Sequence, residues 1–250
     1  ALGVIALVRL GEGTRNKVLD FFRTFYPVGV LLFAWFELDA VIPMFFGTYW
    51  ATDIIVRLEK TLFGSLPHLW FQQFYRPWLD EVMSFIYAGY YLFLPAVTLT
   101  LYLKRKREAA LAAFSIGMFT YLTNFALFFI FPTLAPDGSG TRNVSNPASW
   151  SGCLVAGVIR FLQSGAASKG ATFPSSHISA AFIWSFIALR YERRLGYVLL
   201  PLAVGVSVAV VYLGYHYALD PVFGLIWSLI CFPVALRILR LRNEDPGRAV

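Results

Sequence analysis

Apolar blocks of about twenty residues alternate along the chain with short polar or basic connections. An α-helix needs roughly 20 residues to cross a hydrocarbon core of about 30 Å. Six blocks are predicted as spans on that measure: residues 25–47, 82–103, 110–132, 174–190, 196–216 and 219–238. The first carries Glu37 and Asp39 beside Pro27 and Pro43 and is the weakest on hydropathy; the fourth, PSSHISAAFIWSFIAL, is short and polar at its start. Segment 48–81 mixes charges with Trp, Phe and Tyr, the pattern of helices lying in the headgroup region. Segment 133–173 begins as a Pro-, Gly-, Ser- and Asn-rich loop. It continues as CLVAGVIRFLQSG, a short helix with Arg160 and Gln163 on one side. The expected fold is an all-α integral membrane bundle of six transmembrane helices, with short interfacial helices on the extracytoplasmic side. It forms a single membrane domain over 1–250: a basic N-terminal segment (1–24), a six-helix core (25–240) and a polar tail (241–250).

Charge orients this bundle. The basic runs are Arg9, Arg15, Lys17 and Arg23, then KRKRE at 104–108, RYERR at 190–194 and RILRLR at 237–242. Six spans with a cytoplasmic N-terminus put all four runs on the cytoplasmic side, whereas deleting one span splits them. Both termini are then cytoplasmic, and the connections 48–81, 133–173 and the tight link near 217 are extracytoplasmic. The net charge of +7 therefore reads as membrane orientation, and no nucleic-acid partner is expected. Composition agrees: 58% of residues are hydrophobic and 14% charged, against about a quarter charged in a soluble domain. Residues 1–23 open on an apolar run too short to span and then turn basic, which is not a cleavable signal pattern. Cys153 and Cys231 fall at different membrane depths, so no disulfide between them is expected. Cys and His are too few at these spacings for a metal cluster.

The chain has three histidines, and two flank apolar runs. His177 begins span 4 and His216 ends span 5. Because these spans run in opposite directions, both histidines come to one extracytoplasmic face. Asp220 follows His216 by four residues and would share its face in a helix. Ionisable groups at membrane depth are costly and mark function. A carboxylate that accepts from one imidazole nitrogen leaves the other as a nucleophile or base, and a second histidine can protonate a leaving group. Ser175 and Ser176, at the N-terminus of span 4, would offer backbone amides to an anion. Each residue also has a plain reading. Asp220 before Pro221 is a helix start, the serines after Pro174 are a capping sequence, and a lone histidine is an interfacial side chain. Convergence of all of them on one face favours the site.

These residues resemble a family. PSSH at 174–177 is similar to the Pro-Ser-Gly-His motif of the phosphatidic acid phosphatase type 2 superfamily, and HYALD at 216–220 matches its His-x-x-x-Asp element. The resemblance implies a six-helix membrane core and a phosphohistidine mechanism without metal or other cofactor. His216 would be the nucleophile, Asp220 its orienting partner and His177 the acid. Three departures stand out. Ser176 replaces the motif's Gly; Ala209 and Val210 stand where a Ser-Arg pair is usual; and the RP at 76–77 has Leu69 where a Lys should precede it. Such losses resemble the branch of inositol phosphorylceramide synthases, as do TLFGSLPHLWFQ, FIYAGYYLFLP, FPTLAP and AGVIR. With the usual arginine missing, Lys169 and Arg160, and less favourably Arg142, are the candidate phosphate-binding cations.

The function expected is cleavage of a lipid phosphate ester or diester, with a phospholipid or isoprenoid phosphate as substrate. Water as acceptor makes the chain a lipid phosphatase; a lipid alcohol such as ceramide makes it a headgroup transferase. The non-enzymatic alternative is a phospholipid-binding or transport protein that uses the same pocket to hold a headgroup.

Overall fold

The computed structural model describes residues 16–47, 50–136, 154–166 and 169–244. Arg142 and Cys153 lie outside the described residues. Helix α1 (Lys17–Phe46) starts earlier than predicted because Asn16 caps it, its side chain accepting from the amides of Val18 and Leu19. Two short helices follow, α2 (Thr52–Phe63) and α3 (Pro67–Gln72). Helix α4 (Pro77–Ala88) runs through a 3₁₀ turn (Gly89–Leu92) into α5 (Phe93–Leu103). Then come α6 (Arg107–Ile130), α7 (Leu154–Ala166), α8 (Ser176–Tyr191), α9 (Arg193–Tyr212) and α10 (Leu219–Glu244). Among the described residues the only β-pairing is an isolated parallel bridge between Thr133 and Ala171.

Among the described residues, five segments are long and apolar enough to cross a bilayer: Lys17–Phe46, Pro77–Leu103, Arg107–Ile130, Arg193–Tyr212 and Leu219–Arg240. Together with the exposed Phe33, Phe36, Phe45, Ile130 and Tyr197 on their outer faces, they make this a multi-pass membrane protein. The predicted fourth span differs. Helix α8 has 16 residues, a length of about 24 Å, because Pro174 and the Ser175 cap start it and Glu192, which leaves helical conformation, ends it.

Helix α8 is nevertheless the axis of the bundle. A helix that is apolar or small all round is a buried one, and Ile178, Ala180, Ala181, Ile183, Trp184, Ile187 and Ala188 are all buried. Helices α6, α9 and α10 pack around it, with α5 beside them. Small residues let these backbones close up. Opposite the start of α8, a Cβ on Gly224 of α10 would lie 2.8 Å from the Ser175 carbonyl oxygen and 3.2 Å from the Ser179 nitrogen. The two ends of the bundle are also tied. The α5–α6 turn sends Lys104 and Lys106 to Glu192 in the α8–α9 turn; these two ammonium groups hold the Glu192 carboxyl below its ordinary range.

The obstacle that Gly224→Ala would meet is main chain, which cannot rotate away. The expected cost is about 1–3 kcal/mol, the usual range for overpacking, read as a lowered unfolding midpoint in detergent. An unchanged midpoint would mean that α8 and α10 do not touch there.

Candidate active site

Helix α9 does not reach His216. It stops at Tyr212, and the turn after it is a Schellman motif: the Tyr215 amide donates to Val210 O and the Gly214 amide to Val211 O. Gly214 sits at φ +73°, where a residue without Cβ is unstrained. The predicted shared helical face of His216 and Asp220 is therefore replaced by a turn, which throws His216 back over the start of α10.

In that turn the His216 ring is held at both nitrogens. Nδ1 lies 2.9 Å from Asp220 Oδ2, which also accepts from the Tyr217 amide at 3.0 Å. A carboxylate oxygen only accepts, so Nδ1 carries the proton. Nε2 faces the Ser175 hydroxyl at 3.2 Å and is the nitrogen with the lone pair. The arrangement is buried: His216 is 5% exposed and Asp220 0%. His177 stands across from it, the ring centroids 5.6 Å apart. Its own ring lies among aromatics, with Tyr90 at 4.8 Å and Tyr87 and Trp35 each at 6.0 Å. His177 Nδ1 is buried without a hydrogen-bond partner among the described residues.

The two histidine segments meet because the start of α8 is stitched to the start of α10. The Ser175 amide donates to the Asp220 carbonyl at 3.2 Å, and the Ser175 hydroxyl accepts from the Ile178 amide as the helix cap. The expectation that the Ser175 amide would face an anion is thus corrected: it is spent on Asp220, and the hydroxyl is what reaches His216. Ser176 lines the cavity beside His177. Thr133 of the FPTLAP stretch holds the approach to α8, its amide donating to Gly170 O and its hydroxyl accepting from the Phe173 amide.

The candidate cations lie apart from this centre. Arg160 on α7 pairs with the buried Asp80 of α4 at 3.2 Å, so its charge is already met by a carboxylate. One turn on, Gln163 donates to the Tyr87 hydroxyl and lines the cavity with His177. Lys169 is exposed, and its backbone amide donates to Asp39, which gives that acidic residue of α1 a task. The N-terminus of α7 is capped by Glu81 of α4, which accepts from the Val155 and Ala156 amides. Cys231 is buried as a free thiol, and the described residues contain no cluster of three metal-ligating side chains.

Sequence reasoning missed what comes from segment 48–81. Glu59 of α2 is fully buried and accepts from the Leu219 amide at 2.9 Å, capping α10 from another helix. Its other oxygen, like Asp220 Oδ1, is buried with no hydrogen-bond partner among the described residues. The third histidine, His68 of α3, is also fully buried, with its ring 5.4 Å from that of Tyr217. All three histidines of the chain therefore gather around the turn 216–220. The scarcity of histidine was the one signal in the sequence that could have flagged His68.

A cavity of about 370 Å³ leads to this centre, walled by Leu31, Trp35, Leu94, Tyr121 and Phe125 and ending on Ser176 and His177. It is apolar along α1, α5 and α6 and polar only at its inner end.

Known proteins fit this architecture. The sequence profile of the PAP2 superfamily matches residues 53–234, a stretch that contains both histidine segments, and the chain belongs to that superfamily. The crystal structure of Aquifex aeolicus LpxE is similar in fold, with a TM-score of 0.50 and 18% identity over 68% of this chain and 92% of that one. No curated protein matches the chain.

Glu59 supplies a pH test of the site. Burial, with the nearby Asp220 adding to it, raises its carboxyl from 4.5 to about 7, against the opposing effect of the Leu219 amide. The folded state then binds this proton more tightly than the unfolded one, so its contribution is complete below pH 4.5 and is lost as pH rises to about 7. Glu59→Gln keeps an acceptor for Leu219 and removes the titration. Relative to this variant, the parent protein should lose unfolding midpoint steadily across that window; parallel curves would refute the buried proton.

Proposed function

We propose that the chain is a membrane enzyme that cleaves a lipid phosphate ester or diester through a phosphohistidine on His216. One observation carries the reading: an imidazole whose Nδ1 proton is fixed by Asp220 and whose Nε2 meets the Ser175 hydroxyl, packed against a second histidine that lines an apolar cavity. Membership of the PAP2 superfamily supports it.

In this reading the acyl or isoprenoid chains lie in the cavity between α1, α5 and α6, which brings the phosphate to His216. Nε2 attacks phosphorus as the P–O bond to the lipid alcohol breaks. His177 gives its proton to the departing oxygen, and Asp220 stabilises the imidazolium. Water then attacks the phosphohistidine with His177 as base, releasing phosphate and restoring both rings. The Ser175 hydroxyl, Ser176 and Gln163 surround the phosphate, and Lys169 supplies positive potential from the rim.

Transfer to a lipid alcohol such as ceramide is the second reading. The enclosure of His177 by Tyr87, Tyr90 and Trp35 favours it, since an apolar approach suits a lipid hydroxyl better than water. This is also the chemistry of the inositol phosphorylceramide synthase-like branch that the sequence resembles.

We also read α8 as a sixth crossing, shielded from lipid by its neighbours. Lys104 and Lys106 meet Glu192 at the end of the bundle remote from the histidines. That pairing is what two cytoplasmic basic turns would make, with the termini on the same side and the site extracytoplasmic.

Purified protein in liposomes, offered phosphatidic acid or phosphatidylinositol with and without ceramide, tests the proposal. Phosphate released without ceramide indicates hydrolysis; a ceramide phosphodiester indicates transfer. His216→Ala should lower either activity by at least about a thousandfold, as loss of a nucleophile does. His177→Ala should recover part of its activity on a substrate whose leaving group needs no proton. Full activity in His216→Ala would end the phosphohistidine reading. Binding of phosphate lipids without turnover would leave a lipid-binding protein.

A further inference from the structure

At the end of the bundle away from the histidines, α8, α9 and α10 border a second, open cavity of about 400 Å³. It is lined by Phe186, Leu189, Arg190, Arg193, Leu229 and Phe232. Its floor is apolar, the Phe186 and Phe232 rings packing at 5.8 Å. Its rim carries two guanidinium groups on either side of the α8–α9 turn. The carboxylate between them in sequence, Glu192, is the natural partner for both. It is instead taken by Lys104 and Lys106 from the α5–α6 turn. Among the described residues neither Arg190 nor Arg193 has a carboxylate partner; Arg190 has only the Tyr191 ring, 5.6 Å from its guanidinium carbon.

Two like charges held beside each other over an apolar wall repel unless an anion lies between them. Guanidinium groups match phosphate oxygens in a bidentate fork, and the wall of Phe and Leu side chains asks for hydrocarbon. A soluble phosphate satisfies only the first of these features, and a neutral lipid only the second.

We propose that this cavity binds one anionic phospholipid, its phosphate between Arg190 and Arg193 and an acyl chain along Phe186, Leu229 and Phe232. The site is separate from the histidine centre and does not depend on the reaction assigned to it. The strap from Lys104 and Lys106 is what keeps it open to an anion, because it removes Glu192 from competition.

Native mass spectrometry of the full chain, purified in detergent and titrated with phosphatidylglycerol or phosphatidylcholine, reads the site. One phosphatidylglycerol per chain should bind at least about tenfold more tightly than phosphatidylcholine. Inorganic phosphate at millimolar concentration should not displace it. Arg190→Gln with Arg193→Gln should abolish the preference, while Arg105→Gln with Arg107→Gln, an equal loss of charge on the neighbouring turn, should leave it. Leu229→Trp, which fills the cavity and keeps both charges, should also lose the bound lipid. Equal losses in the two arginine pairs would overturn the proposal in favour of diffuse attraction to a basic surface. Retention in Leu229→Trp would overturn the cavity as its seat, and displacement by inorganic phosphate would make it a site for soluble anions.

Discussion

The contact on which the site depends is the close approach of α8 and α10 at their N-terminal ends. There the Ser175 amide meets the Asp220 carbonyl, and Gly224 lets the two backbones touch. Without it, His216 in the turn before α10 and His177 in the first turn of α8 would not be brought together. With it, one short segment, 216–220, is held from two sides. Ser175 reaches His216 from α8, and Glu59 and His68 press on Leu219 and Tyr217 from the α2–α3 pair. The imidazole is thus oriented by one carboxylate and one hydroxyl, while backbone hydrogen bonds fix the turn that carries it.

This arrangement gives the membrane its part in the chemistry. The cavity to His177 is formed by α1, α5 and α6, whose outer faces meet hydrocarbon, and only its inner end is polar. Under the proposed function, a lipid whose chains remain in an apolar medium would present its phosphate at that end. Tyr87, Tyr90 and Trp35 pack their rings around His177, an apolar surrounding in which electrostatic contacts are stronger than in water. The opposite end of the bundle is built on another principle. There, lysines consume the one carboxylate and leave arginines facing an apolar pocket.

Several elements were legible without coordinates because each depends on residues near in sequence. The long helices follow from the length of the apolar blocks. The short helix over 154–166 follows from its amphipathic pattern, and its polar side, with Arg160 and Gln163, does face α4. The pairing of His216 with Asp220 was readable from a spacing of four, although the geometry that achieves it is a glycine-capped turn and not a helix. Helix α8, read as a short span over 174–190, runs from Ser176 to Tyr191 with its start set by the Ser175 cap.

The sequence by itself determined that this is a membrane protein, where its helices run and which residues carry reactive groups, because hydropathy and motif spacing are local properties. Tertiary structure decided what those groups face. Ser175 gives its amide to Asp220 and its hydroxyl to His216; Arg160 is met by Asp80; and Glu59 and His68, from a segment that read only as interfacial, clamp the turn that holds the histidine. These pairings join residues between 41 and 160 positions apart. No periodicity records them, because they exist only once the helices have packed.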